Sequence, residues 1–325
     1  MTQDALIEQA AARLRAGGVV AFPTETVYGL GADASNPDAV RRVFTLKGRP
    51  ADHPLIVHIG APPLLERWAR DIPPVAWRLA KAFWPGPLTL ILRRGQAPLA
   101  VTGGQDSVGL RMPHHPVALA LLDAFGGGIA APSANRFGRV SPTQAGHVGD
   151  EFGDAVDLVL DGGACRVGLE STILSLVSGQ PVLLRPGAIT PAALEAVIGA
   201  PLADRPPDSG LRAPGTLEAH YAPATRLLLC PGATVEARLR EWLGRDARVA
   251  LLHYTPALEK LEQNPLAQAH PMPARAGDYG RALYAALRRL DAQGFDVILV
   301  ELPPPDDAWR AVSDRLGRAS HGSAC

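Results

Sequence analysis

The residues best suited to chemistry fall in four clusters within the first 190 or so positions, each mixing polar side chains with glycine or proline. PTETVYGLG (23–31) sets the hydroxyls of Thr24 and Thr26 beside Gly29 and Gly31, where a backbone can approach a ligand closely. KGRPADHPLIVH (47–58) places Lys47 and Arg49 on either side of Gly48. A point charge beside a planar guanidinium fork suits a polyphosphate. A helix end that attracts cations would explain Lys47 as well, but explains the Lys-Gly-Arg triplet less well. His58 stands in an apolar stretch, where a lone histidine is more often structural than catalytic. APSANRFGRVSPT (131–143) gathers Ser133, Asn135, Ser141 and Thr143 around Gly138, which suits an anion nest or a plain turn cluster. The fourth cluster combines VGLRMP (108–113), GLESTI (168–173) and LLRPG (183–187). Arg111 alternates with apolar Leu110 and Met112, and Arg185 ends an apolar run. Burying a guanidinium is costly unless an anion meets it. Two such arginines favour an anionic ligand, with Glu170 as a possible internal partner.

The elements that must carry these clusters can be read from periodicity. Leu6, Ala10 and Leu14 fall on one helical face that ends at Gly17 and Gly18. Residues 19–22 make a short buried strand. Asn36 can cap a second helix with Pro37 at its first position. Residues 54–59, 88–94 and 108–112 read as strands, and 73–84 and 116–128 as helices. GIAAPS, VDLVLDGG, STILSLV and PVLLRPG follow as strands, the last two joined by the hairpin signal Ser178-Gly179-Gln180. Thr190 and Pro191 open another helix. Residues 201–223 hold five prolines and two glycines, so they form a linker, although GTLEAHYAP carries side chains a plain spacer does not need. Beyond it, TRLLLC, RVALLHY and FDVILVEL alternate with helical segments, which implies a small open parallel sheet.

Composition narrows the class. Lys plus Arg equals Asp plus Glu at 32 each, which argues against a general polyanion binder. There are 29 arginines but only three lysines, Lys47, Lys81 and Lys260, so a retained lysine invites a chemical reason. The three cysteines form no CxxC pair, and a structural zinc site is not expected. The N-terminal segment does not resemble a signal peptide and no apolar run reaches membrane-spanning length, so a cytoplasmic, non-membrane protein is expected. GxxxxGK[ST], GxGxxG and HExxH are all missing. The residues by themselves stop at an anion- or nucleotide-binding α/β protein, enzyme or binding module.

Taken together the motifs resemble the YrdC family. FPTETVYGLG, LKGRP…HPLIVHI, WPGPLTLIL, VGLRMP, APSAN and GLESTIL stand in that family's order, and APGTLEAHYAP and AVSDRLGRA resemble the linker and tail of its long form, the threonylcarbamoyl-AMP synthases. The resemblance implies a twisted mixed α/β sheet with a concave cleft over residues 1–200. It also implies a linker at 201–223 closing over the active site and a Rossmann-like parallel-sheet domain at 224–325. It implies condensation of L-threonine, bicarbonate and ATP to threonylcarbamoyl-AMP and pyrophosphate. The product serves threonylcarbamoyladenosine formation beside the tRNA anticodon. Thr26, His58, Arg111, Ser133 and Ser171 match threonine-binding positions. Lys47, Arg49, His53, Ser107, Asn135, Thr143, Arg185, His220 and Tyr221 match positions around ATP, with Lys47 and Arg49 closest to the chemistry. Mg²⁺ is expected only through the ATP phosphates, with no dedicated protein metal site. A downstream threonylcarbamoyl-transferase complex is an expected partner, and contact with tRNA is expected to be indirect or transient. Two positions depart from the family pattern: His53 replaces an asparagine, and Arg136-Phe137-Gly138 replaces a small-residue step. A double-stranded RNA-binding module is one alternative, disfavoured by the zero net charge. A carbamoyl-adenylate-forming maturation factor is another, but its cysteine-rich fingers are not visible.

Overall fold

The computed structural model describes residues 2–203, 210–256, 258 and 264–321. Residues 204–209 of the expected linker, and Lys260 and Cys325, lie outside the described residues. The chain divides into two compact units, one of residues 1–137 and 141–216, the other of 138–140 and 217–325.

The first unit is built on a mixed sheet of ten strands among the described residues. They are β1 (Val20–Phe22), β2 (Gly29–Asp33), β3 (Ile56–His58), β4 (Ala69–Arg70), β5 (Leu88–Arg94), β6 (Ser107–Arg111), β7 (Ile129–Ala130), β8 (Leu158–Val159), β9 (Thr172–Ser175) and β10 (Val182–Arg185). Their order is β10-β9-β5-β6-β3-β7-β2-β1-β8, with β4 on β5. β3 and β6 run parallel and bring His58 level with Arg111. β9 and β10 form the expected antiparallel hairpin.

Local chemistry sets the ends of the elements. The Asn36 side chain accepts from the backbone N–H groups of Asp38 and Ala39 and starts the helix Pro37–Lys47. Gly48 stops it at φ 61°, a left-handed conformation that costs glycine little. β2 was not expected, because PTETVYGLG reads as a loop with glycine freedom. The reason for its glycine is close approach: a Cβ on Gly31 would come within 2.7 Å of the Phe22 ring and 2.8 Å of Ile129. Tyr28, Leu30, Val57, Leu90, Leu110 and Ala130 are fully buried and join these strands to the helices through one apolar core.

The second unit has β11 (Arg226–Cys230), β12 (Val249–His253), β13 (Ala267–Pro271) and β14 (Val297–Glu301), all parallel in the order β11-β14-β12-β13. This is the Rossmann-like arrangement expected. β13 escaped the sequence reading because it is polar and carries Pro271. It is an edge strand, where a missing N–H and a solvated face are tolerated. Gly138–Val140 belongs with this unit: Arg139 bridges to Ala222, Asp291 holds the Arg139 guanidinium at 3.4 Å, and Arg288 donates to the Val140 carbonyl.

Candidate active site

Lys47 ends its helix with the side chain turned inward, and its ammonium donates to the carbonyls of Ser133, at 2.6 Å, and Asn135. Lys47 is 3% exposed and Arg49 8%, whereas their positions flanking a helix-ending glycine suggest cations presented openly at a cleft. The turn at Gly48 folds them back under the 131–137 segment instead; the Phe137 N–H also closes on the Lys47 carbonyl at 2.8 Å. Burial pushes the Lys47 ammonium well below its ordinary value, and the Arg49 charge pushes it further. An anionic ligand would reverse both effects.

Arg49 donates to the Pro54 carbonyl at 3.0 Å and lies 5.6 Å from the centre of the Phe137 ring. His53 meets the same ring edge to face at 5.3 Å. The two positions that depart from the family pattern therefore touch each other. Burial, then the Arg49 charge, lowers the His53 pKa.

A second set of groups surrounds Arg111. Its Nη1 donates to Thr26 Oγ1 at 2.8 Å, its Nε to the Gly86 carbonyl at 3.2 Å, and its Nη2 lies 2.7 Å from Glu25 Oε2. Thr26 is held in turn by Thr24 at 2.8 Å. Glu25 is the residue that sequence reasoning missed. An arginine on an apolar strand signals a buried anion, and the chain supplies one from the turn after β1. The carboxylate beside Thr26 in PTETV was the available clue. His58, level with Arg111, is buried and its pKa is lowered to about 3, first by burial and then by the Arg111 charge. The imidazole is thus neutral throughout the physiological range.

Ser171 and Arg185 form a third group. The Ser171 hydroxyl meets Thr89 Oγ1 at 2.8 Å and accepts from Arg185 Nη2 at 3.1 Å, while Arg185 Nη1 donates to the Pro214 carbonyl at 3.0 Å. Ser107, Ile56 and Gly109 line a small cleft whose other wall includes Arg212 and Pro214. Arg212 is fastened across it by paired bonds with the Gln105 amide, at 2.7 and 3.1 Å. Ser133 and Asn135 meet Lys47 through their carbonyls. Thr143 Oγ1 has no hydrogen-bond partner among the described residues, and the Thr143 N–H meets His147 at 3.2 Å. Ser141 bonds Glu170 at 2.6 Å.

His220 and Tyr221 lie in the second unit, both buried. Tyr221 has φ 63°, stacks on Tyr284 at 5.9 Å and faces the Arg315 guanidinium at 5.2 Å. Among the described residues, no three His, Cys, Asp or Glu side chains gather as a metal site. No described helix is long and apolar enough to cross a membrane.

A mixed sheet carrying buried cations, in a chain that also holds a parallel-sheet unit, defines a class that family comparison also recovers. Residues 12–187 match the Sua5/YciO/YrdC family, described as telomere recombination, and residues 189–321 match the C-terminal domain of threonylcarbamoyl-AMP synthase. The chain belongs to this family in its two-domain form. It is 40% identical to the threonylcarbamoyl-AMP synthase of Pyrococcus abyssi, over 97% of this chain and 94% of that protein. It is 42% identical to that of Bacillus subtilis, over 99% and 94%. The crystal structure of P. abyssi Sua5 complexed with L-threonine superposes with a TM-score of 0.90 at 39% identity, covering 99% of this chain and 96% of that one.

Proposed function

We propose that this chain condenses L-threonine, bicarbonate and ATP into threonylcarbamoyl-AMP, releasing pyrophosphate. The observation that carries the reading is Lys47. Its buried ammonium, shifted toward the neutral form beside Arg49, is a cation whose charged state an incoming polyphosphate would restore. Family membership supplies the reaction class.

The chemistry asks more for positioning and charge neutralisation than for an acid–base triad. Threonine's amine attacks bicarbonate carbon, a C–O bond breaks with loss of water, and the carbamate so formed does not survive in open water. A carbamate oxygen then attacks the α-phosphorus and pyrophosphate leaves. Lys47, Arg49 and Arg185 offset the charge that grows on the phosphates. Arg111 and Thr26 hold threonine's carboxylate end, and His58, Ser133 and Ser171 complete its pocket. Ser107, His53, Asn135 and Thr143 border the nucleotide. ATP enters as its magnesium complex. The cations and hydroxyls of the cleft suit phosphate oxygens better than a bare metal, so the ion rides on the substrate. The segment bearing His220 and Tyr221 acts as a lid that keeps water from the intermediate. The unstable product calls for a transferase complex downstream that passes the threonylcarbamoyl group to tRNA, in the cytoplasm. The test is mass spectrometry of a reaction with threonine, ¹³C-bicarbonate and ATP. A mixed anhydride carrying the label is expected, and pyrophosphate release without label in any adenylate would refute the assignment.

A further inference from the structure

The Glu25–Arg111 pair raises a problem for the ligand that Arg111 is to receive. Both side chains are 4% exposed and 2.7 Å apart. Glu25 Oε2 is used twice, by Arg111 and by the His114 N–H at 3.0 Å. Glu25 Oε1 is buried and accepts from no described residue. A buried carboxylate oxygen without a donor costs more than an ordinary lost hydrogen bond. The surroundings of Arg111 thus hold a cation already paired and a carboxylate oxygen still open. A bare carboxylate ligand arriving at Arg111 would meet the Glu25 charge, and like charges at such range repel strongly. A zwitterion would not, because its ammonium can face Oε1 while its carboxylate faces the guanidinium.

We infer that Glu25 is a specificity-determining residue that receives the substrate's α-ammonium and restricts the Arg111 pocket to α-amino acids, against hydroxy and keto acids of the same shape. The inference rests on the reading of Arg111 as the threonine carboxylate site. Removing one charge partner from a buried ligand pair leaves the other uncompensated, so discrimination of 10²-fold or more is expected.

The full chain is assayed by pyrophosphate release with bicarbonate and ATP. The probe is 2,3-dihydroxybutanoate, which replaces threonine's ammonium by a hydroxyl, used as a competitive inhibitor. Wild type should bind it about 100-fold more weakly than threonine. In Glu25→Gln the threonine KM should rise at least about 10-fold and the ATP KM stay within about twofold. The inhibitor should bind the variant as well as wild type or better. Glu25→Asp, which keeps the charge, should weaken threonine but retain the preference over the hydroxy acid. Equal binding of threonine and the hydroxy acid by wild type would overturn the inference and needs no variant to fold. So would a Glu25→Gln protein in which both ligands weaken together, for then Glu25 only positions Arg111. Arg111→Gln separates the premise: it should lose both ligands. A normal threonine KM there would remove the carboxylate assignment itself.

Discussion

The two cationic regions of the first unit are neutralised in different ways. Arg111 sits against a carboxylate of its own chain, 2.7 Å away and equally buried. Lys47 is held by the carbonyls of Ser133 and Asn135, which are dipoles without net charge. One region offers a closed ion pair with one oxygen to spare. The other offers a cation whose charged state is penalised until an anion arrives. The first suits a zwitterion and the second a polyanion, so buried charge alone does not say what a pocket binds; the company of that charge does.

Lys47→Met tests the second half of this contrast and should show the largest effect. Losing a group that stabilises the transferring phosphate should lower kcat/KM by about 10²–10³-fold. The unliganded variant should melt within a few degrees of wild type near neutral pH, because relief of a desolvated ammonium offsets the donor lost by the Ser133 and Asn135 carbonyls. Lys47's pKa is depressed in the folded state, so the unfolded chain binds its proton more tightly. Its penalty on stability is therefore full at low pH and relieved as pH rises toward the ordinary lysine value of 10.5. For the same reason, at a pH above the depressed folded pKa of Lys47, ATP binding should draw a proton from solution, seen by calorimetry in buffers of different ionisation enthalpy. A marked fall in melting temperature and no proton uptake would place the ammonium among the structural supports.

His58 gives the next largest effect, read here on stability. Its folded pKa of about 3 lies below the ordinary histidine value of 6.5. The unfolded state is protonated first as pH falls, so stability is lost from about pH 6.5 down toward 3, by up to ~1.4 kcal/mol per pH unit. Chemical denaturation of wild type and His58→Gln across that range should show the difference narrowing as pH drops. Parallel curves would mean that His58 stays protonated in the fold.

The smallest effect belongs to the ring pair beside Arg49. Phe137→Ser should raise the ATP KM about five- to tenfold and leave the threonine KM alone, since it removes the face against which the guanidinium rests. His53→Asn should cost less in wild type and almost nothing in the Phe137→Ser background, a coupling of about 0.5–1.5 kcal/mol. Additive changes would show that the two residues act separately.

Most of the fold was legible because the signals were local. The caps at Asn36 and Thr190, the glycine stop at Gly17 and Gly18 and the hairpin at 178–180 each need only a few neighbouring residues. β2 and β13 were missed because tertiary placement overrides propensity: one strand is glycine-rich where it passes Phe22, the other is polar on a sheet edge. In the site, residue types could suggest Lys47, Arg49 and Arg111 as ligands for anions. They could not show which way a chain turns after a left-handed glycine, so the burial of Lys47 was hidden. Nor could spacing reveal that Glu25, 86 positions before Arg111 in the chain, would be its counter-ion.

The grouping of Gly138–Val140 with the second unit bears on synthesis and on dissection. The chain enters the second unit for three residues, returns to the first, and leaves again only after residue 216. A ribosome adding roughly 5–20 residues per second must therefore make the loop between Asn135 and Ser141 several seconds before Ala222 emerges to pair with it, and longer before Arg288 and Asp291 do. β8, β9 and β10 are made within that interval, so once β10 is out a nascent first unit has all its sheet strands but not yet the anchor for a loop that borders site residues. The two units are thus consecutive for most of their length yet not separable at any single peptide bond. A fragment ending near residue 216 would keep every strand of its sheet and still lack the partners that fix this loop.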